Sequence, residues 1–214
     1  MIQTYWKKLT NDFDFTPVEN NDFDSFSMNG MDFHVSGGDV KEIGHISLIS
    51  ASGMNGAFQM DSLIINPLEV DAPLINIDRV ITGQGIMLMM EQYDTLVSSQ
   101  RKEETFEAIK NKYSNLGDIP SKENWYDDLK YQSSMSKMLG VDQKALSDEM
   151  IDEYMKAYLK ILQSAKVCDP KSKKAKADAY RDGLLSQGGP ATDGFLQAWG
   201  EAKTADLFKN VVFG

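Results

Sequence analysis

Cysteine and histidine are scarce in this sequence. Its 214 residues include one cysteine, Cys168, and two histidines, His34 and His45. A single cysteine excludes an intramolecular disulfide framework, and it also excludes a zinc or iron–sulfur site built from several cysteines of this chain. Two histidines are too few for a histidine-rich metal centre, so the sequence predicts no metal site. If the chain is an enzyme, carboxylates must carry out its proton chemistry.

Excess positive charge and long apolar runs are also lacking. The chain has 32 acidic and 22 basic residues, which gives a formal net charge of −10. This charge disfavours non-specific binding to nucleic acid or to anionic lipid. The longest uncharged stretch, residues 44–60, is interrupted by serine, glycine, asparagine and glutamine, so it is not a membrane span. The first residues do not form a charged head followed by an apolar run, and we expect a cytoplasmic protein.

The signature motifs of several common enzyme sites are missing. Gly83-Gln84-Gly85 stops short of the dinucleotide-binding pattern and lies in a predicted hairpin turn. The sequence contains no P-loop, no His-Glu-x-x-His and no Gly-x-Ser-x-Gly. A Rossmann-bound nicotinamide cofactor, a zinc protease site and a serine nucleophile elbow are therefore not indicated.

The hydrophobic pattern indicates one domain, residues 1–214, with a strand-rich part at 26–97 and a helix-rich part at 98–214. In the first part, period-two segments predict an antiparallel meander of five strands: 27–35, 45–51, 57–65, 74–81 and 86–93. In the second part, helical spacing predicts four helices: one from Phe106 to a cap at Gly117, one capped by Ser147, one at 172–186 and one at 192–212. Strands followed by helices predict an α+β fold in which helices cover a sheet.

The strand predicted at 74–81 carries a carboxylate among apolar neighbours. Alternation places Asp78 on the same face as Leu74 and Asn76. Burial raises the pKa of an aspartate, and such an acid can deliver a proton in a reaction. Asp61 heads a segment expected to neighbour this strand, and two carboxylates on one sheet face would form an acid site. The alternative is that both acids are structural, at a sheet edge or in hydrogen bonds.

Basic residues cluster in one region of this acidic chain. Only Asp169 and Asp178 lie among six bases: Lys166, Lys171, Lys173, Lys174, Lys176 and Arg181. The cluster is either a solvated helix face or a docking surface for an acidic partner. The residues expected to dock a partner are Lys171, Lys173, Lys174 and Lys176.

Two segments carry a resemblance to a known family. Residues 66–78, Asn-Pro-Leu-Glu-Val-Asp-Ala-Pro-Leu-Ile-Asn-Ile-Asp, end in Asp78, and residues 189–201 are followed by Ala205 and the Val-Val-Phe of 211–213. In this order they resemble the aspartate-bearing strand and the C-terminal ending of the ferredoxin-dependent bilin reductases and the related red chlorophyll catabolite reductases. Trp125 resembles a tryptophan of the family.

This resemblance implies an α/β/α sandwich, with a central, mainly antiparallel sheet flanked by helices. An open-chain tetrapyrrole would bind between the sheet and the C-terminal helices. Enzymes of this family hold no metal or flavin of their own. Electrons arrive singly from ferredoxin, or from flavodoxin, and residues of the site supply protons to a bilin radical.

The resemblance also implies roles for individual residues. Asp78 matches the central proton donor of the family, and Asp193 matches an aspartate of the C-terminal helix that protonates the substrate in some members. Asp61, seventeen residues before Asp78, stands where biliverdin-reducing members have a histidine. This difference leaves open which bilin and which double bond are reduced. The residues expected to bind the substrate are His45, Ser47 and Asn76.

Two further functions agree with the sequence. A non-catalytic relative of the same fold would carry a bilin or a haem without turnover. In the other interpretation, the chain is an acidic protein-interaction domain in which Asp78 is structural.

Overall fold

The computed structural model describes residues 1–20, 22–98, 103–120 and 123–214. The helices are α1 (Ile2–Asp12), α2 (Glu104–Lys112), α3 (Lys144–Ser164), α4 (Pro170–Gln187) and α5 (Pro190–Leu207), which is followed by a π-helical turn at Phe208–Val212. The strands are β1 (Phe15–Pro17), β2 (Ser25–Met28), β3 (Met31–Val40), β4 (Gly44–Gly53), β5 (Phe58–Pro67), β6 (Leu74–Thr82), β7 (Gly85–Tyr93) and β8 (Met135–Leu139).

All eight strands form one antiparallel sheet in the order β1-β3-β4-β5-β6-β7-β8, and β2 also pairs with β3. From β3 to β7 each strand pairs with the next one in the chain, so the predicted meander is confirmed. One boundary was wrong, because the strand predicted at 27–35 is a hairpin. Asn29 and Gly30 turn the chain with φ of 53° and 75°. An Asn-Gly pair favours this type of tight turn because both of its residues tolerate positive φ.

Helices cover both faces of the sheet, which confirms the α/β/α sandwich. On one face, α1, α2 and α3 form a core with the sheet, and Leu9, Phe106 and Tyr154 of these helices are buried in it. On the other face, α4 and α5 form a second core. Alternation along β6 sends Ile75 and Ile77 to the first core and Leu74 to the second. None of the described helices is long and apolar enough to cross a membrane.

The helix boundaries differ from the predictions in three places. Ser147 lies inside α3, where its hydroxyl donates to the Lys144 carbonyl at 2.7 Å, so it does not cap the helix. Helix α2 ends at Lys112, before the predicted cap at Gly117. Helix α1 was not predicted, although Ile2, Tyr5 and Leu9 are buried at helical spacing.

Candidate active site

A cavity of about 280 Å³ lies between the sheet and helices α4 and α5. Its floor consists of side chains from β4 to β7, and its roof consists of side chains from the loop before β8, from α4 and α5, and from the segment after α5. Three tyrosines, Tyr93, Tyr126 and Tyr180, are in mutual ring contact at one end. The lining is mainly apolar, which is typical of sites for small organic ligands.

Asp78 lies on the floor of this cavity, as the alternation along its strand predicts. Asn76 donates to the Asp78 carboxylate at 2.8 Å, and the Ser62 hydroxyl donates to the Asn76 side-chain oxygen at 3.2 Å. Burial raises the pKa of Asp78 to about 6; the nearby Ser62 hydroxyl and the hydrogen bond from Asn76 oppose this rise, and the charge of Glu91 adds to it. About 10% of such a carboxyl is protonated at pH 7, against about 0.1% for an ordinary aspartate. Asp78 can therefore serve as a proton donor near neutral pH.

Glu91 is a second carboxylate of the cavity, and the sequence interpretation missed it. It lies on β7, directly across from Asn76 in the strand pairing. Lys130 donates to one of its carboxylate oxygens at 3.0 Å, and the Tyr93 hydroxyl donates to the other at 2.6 Å. The sequence pattern that identified Asp78 also applies to Glu91, because Glu91 is an acidic residue among the apolar residues of a predicted strand.

Asp61 does not share the face of Asp78, so the predicted pair of carboxylates on one face is wrong. Across β5 and β6, Asp78 pairs with Ser62 and Asp61 pairs with Arg79. Directly paired residues point to the same side of a sheet. Asp61 therefore lies on the α1 side, where it accepts hydrogen bonds from Gln3 and Ser50, both at 2.9 Å.

Asp193 follows the cavity-lining residues Ala191 and Thr192 in the chain, but it is exposed and does not line the cavity itself. Its carboxylate accepts a hydrogen bond from the Gly189 amide at 3.1 Å. Gly188 has a φ of +87°, and a Cβ atom there would lie 2.6 Å from the same Asp193 oxygen. Asp193 therefore lies in the first turn of α5, where its carboxylate stabilises the conformation of the preceding Gly188-Gly189 turn.

His45 and Ser47 do not line the cavity, contrary to their predicted contact with substrate. Both are fully buried, and they bind carbonyl oxygens of residues 208–214, which we call the C-terminal segment. His45 donates through Nε2 to the Val211 carbonyl at 2.8 Å, and Ser47 donates to the Val212 carbonyl at 2.9 Å. These two side chains therefore fix a segment that forms part of the cavity wall. Asn76 is the one predicted substrate-binding residue that lines the cavity.

Two further side chains bind the next carbonyl oxygens of the C-terminal segment and extend these contacts into a row. Asn66 on β5 donates to the Phe213 carbonyl at 2.8 Å, and Lys174 on α4 donates to the Gly214 carbonyl at 2.7 Å. Together with His45 and Ser47, they bind four consecutive carbonyl oxygens. Phe208, Val212 and Phe213 of the segment line the cavity, so the row fixes one of its walls.

The basic cluster is less available to a partner than the sequence predicts. Lys173 is fully buried, and its ammonium donates to the carbonyl oxygens of Ala72 and Thr95, so it cannot dock a partner. Lys176 is exposed, and its ammonium donates to the Leu96 carbonyl. Lys171 and Lys174 remain exposed on α4.

Trp125 packs against α4 at a glycine, beside the tyrosine cluster. Its indole nitrogen donates to the Gly188 carbonyl at 2.9 Å, and a Cβ atom on Gly183 would lie 2.2 Å from its ring.

We expect Gly183→Ala to destabilise the protein by about 1–3 kcal/mol, because the Trp125 ring must move. In contrast, Gly194→Ala in α5 should stabilise it by about 0.5–1 kcal/mol, because a Cβ atom there has open space. Urea unfolding measures both values, and equal effects of the two substitutions would contradict the packing described here.

No group of three or more His, Cys, Asp or Glu side chains that could hold a metal ion is found within the described parts of the chain.

Comparison with known proteins shows similarity in fold. No protein-family model and no curated protein sequence matches the chain. Among solved structures, the chain is similar to phytochromobilin synthase from tomato, solved in complex with biliverdin. The TM-score is 0.75 with 14% sequence identity, and the alignment covers 97% of this chain and 79% of that one. The fold implied by the two short sequence motifs is therefore confirmed: this chain shares the fold of that protein.

Proposed function

We propose that the chain binds an open-chain tetrapyrrole in the cavity above Asp78 and reduces it. The observation that carries the proposal is a carboxyl with a pKa of about 6 on the floor of an otherwise mainly apolar cavity. The fold it shares with a protein that was solved with biliverdin supports this ligand class. Pyrrole and lactam N–H groups are donors, and the oxygens of Asp78 and Asn76 are acceptors that fit them.

Reduction of one double bond of the ligand takes two electrons and two protons. We propose that the electrons arrive singly from an external carrier, ferredoxin or flavodoxin, and that the protein itself holds no redox group. Asp78 gives one proton to the reduced ligand and regains a proton from solvent. The second proton comes through the open side of the cavity. The apolar walls exclude most water, which strengthens the electrostatic contacts of Asp78 with the ligand.

The first experiment is an anaerobic absorption titration of the purified protein with biliverdin, followed by addition of a reduced ferredoxin system. We expect a shifted bilin spectrum on binding and its replacement by the spectrum of a new bilin on reduction. The control lacks the electron donor and should retain the spectrum of the bound ligand.

Two other outcomes would replace this proposal with one of the alternatives. Binding without turnover would favour a bilin carrier, which is consistent with the position of Asp61 and Asp193 outside the cavity lining. No spectral shift would contradict biliverdin binding and favour the interaction domain.

A further inference from the structure

Glu91 lines the cavity beside the proposed proton donor and forms an ion pair with Lys130, which lies outside the lining. Glu91 lies diagonally across from Asp78 in the strand pairing, because Asp78 pairs with Met89 and Asn76 pairs with Glu91. Diagonal neighbours on one sheet face lie about 7–8 Å apart. Glu91 and Asp78 therefore interact through a mainly apolar space, in which charges are poorly screened.

Lys130 and Tyr93 fix Glu91 in place. Its carboxylate is largely buried, with a side-chain exposure of 12%, and it accepts from Lys130 at 3.0 Å and from Tyr93 at 2.6 Å. Burial lowers the pKa of Lys130, but the charge of Glu91 and hydrogen bonds to Glu91 and Asp127 raise it above the ordinary value. Lys130 is thus a permanent cation at neutral pH and a stable partner for the carboxylate.

Apart from Asp78 and Glu91, the titratable groups that line the cavity are phenols, which are neutral. Burial raises the pKa of three phenols that line the cavity: Tyr93 on β7, Tyr126 in the loop before β8 and Tyr180 on α4. None of the acidic residues of α5 lines the cavity, and Asp193 in its first turn is exposed. Asp127 does not line the cavity, and its carboxylate pairs with Lys130 at 3.1 Å. Within the described part of the chain, Glu91 is the one other acidic residue of the lining.

We propose that Glu91 is a positioning residue for Asp78: fixed in place by its hydrogen bonds with Lys130 and Tyr93, it presents a negative charge to Asp78 from the same face of the sheet and so favours the protonated acid. Lys130 limits this effect by compensating part of the charge. The inference deepens the proposed function, since Asp78 is the proton donor of that proposal. The effect of Glu91 on the protonation of Asp78 is a property of the ligand-free protein, so it can be tested without turnover.

The test is the titration of Asp78 in the ligand-free protein, followed by NMR of ¹³C-labelled aspartate carboxyl groups. Glu91→Gln removes the charge and preserves the size of the side chain, so Asp78 should lose its proton at a pH lower by about one unit. Lys130→Met leaves the charge of Glu91 uncompensated and should shift the titration of Asp78 to higher pH. Asp61→Asn is the matched control, because it removes one acidic charge from the opposite face of the sheet and should leave the titration unchanged.

Opposite shifts in the two variants would support the proposal. A structural role of the pair alone would move both titrations in the same direction or neither, and either result would overturn it. The titration also separates this inference from the proposed function. If the shifts appear but no bilin is reduced, the proposed function fails while the link between Glu91 and Asp78 stands.

Discussion

Asp78→Asn should reduce the rate of bilin reduction by about 100-fold or more and leave ligand binding nearly unchanged. An asparagine has the same shape and still offers an oxygen acceptor, but it has no acidic proton to transfer, and general acid catalysis commonly contributes factors of this size. In the unmodified protein, the protonated fraction of Asp78 falls as the pH rises through about 6. The proton-dependent rate should therefore fall about tenfold for each further pH unit. Single-turnover kinetics with a reduced electron donor, measured from pH 5 to 8, tests both statements.

Asp61→Asn provides the comparison for this experiment. Its carboxylate interacts with Arg79 and Ser50 on the α1 side of the sheet, so its loss should affect stability more than turnover. If a folded Asp61→Asn protein loses turnover as completely as Asp78→Asn, then Asp61 is catalytic, as its position seventeen residues before Asp78 suggested. Equal turnover in Asp78→Asn and the unmodified protein would contradict the proton-donor role.

His45→Ala should destabilise the protein by about 2–4 kcal/mol and weaken ligand binding. The imidazole is fully buried between the Asp39 carboxylate and the Val211 carbonyl, at 2.9 Å and 2.8 Å. Its removal leaves a void and a buried carbonyl without its donor, and each of these defects costs free energy. The C-terminal segment then loses a fixed contact, so its cavity-lining residues Val212 and Phe213 become less well positioned.

His34→Ala is the matched control, since it removes the same side chain from an exposed position on the neighbouring strand. Its free energy of unfolding should stay within about 0.5 kcal/mol of the unmodified value, as for most surface substitutions. Urea unfolding and a biliverdin titration measure the two effects. If His45→Ala has the stability of His34→Ala, the contacts to the C-terminal segment do not stabilise the fold.

The position of Asp78 could be predicted because it depends on local alternation alone. The position of Asp61 depends on the connection between β5 and β6, which decides whether residue 61 or residue 62 faces Asp78. A shift of one residue in register moves a side chain to the other face of a sheet. Counting seventeen positions back from Asp78 reaches Asp61, whereas the observed pairing brings Ser62 beside it.

The contacts of the C-terminal segment could not be predicted from the sequence. His45 and Ser47 were correctly expected on a strand, but the carbonyl groups they bind lie more than 160 residues further along the chain. Backbone carbonyls carry no residue-specific signal, so a polar side chain that binds one looks the same in sequence as a side chain that binds a ligand. Glu91 is different, because its apolar neighbours were a sufficient local signal.

The order of the strands has a consequence for how the cavity forms during folding. Its floor comes from consecutive strands, which pair across short loops, whereas the row of contacts to residues 211–213 joins positions 147–166 residues apart. Closing a long loop costs more entropy than closing a short one, and contacts between distant residues form slowly. The floor is therefore expected to form first and to remain uncovered until residues 208–214 pack against it. During this interval the mainly apolar floor is exposed to other chains, so a nascent protein that has not yet completed its C-terminal segment is the species most prone to aggregate.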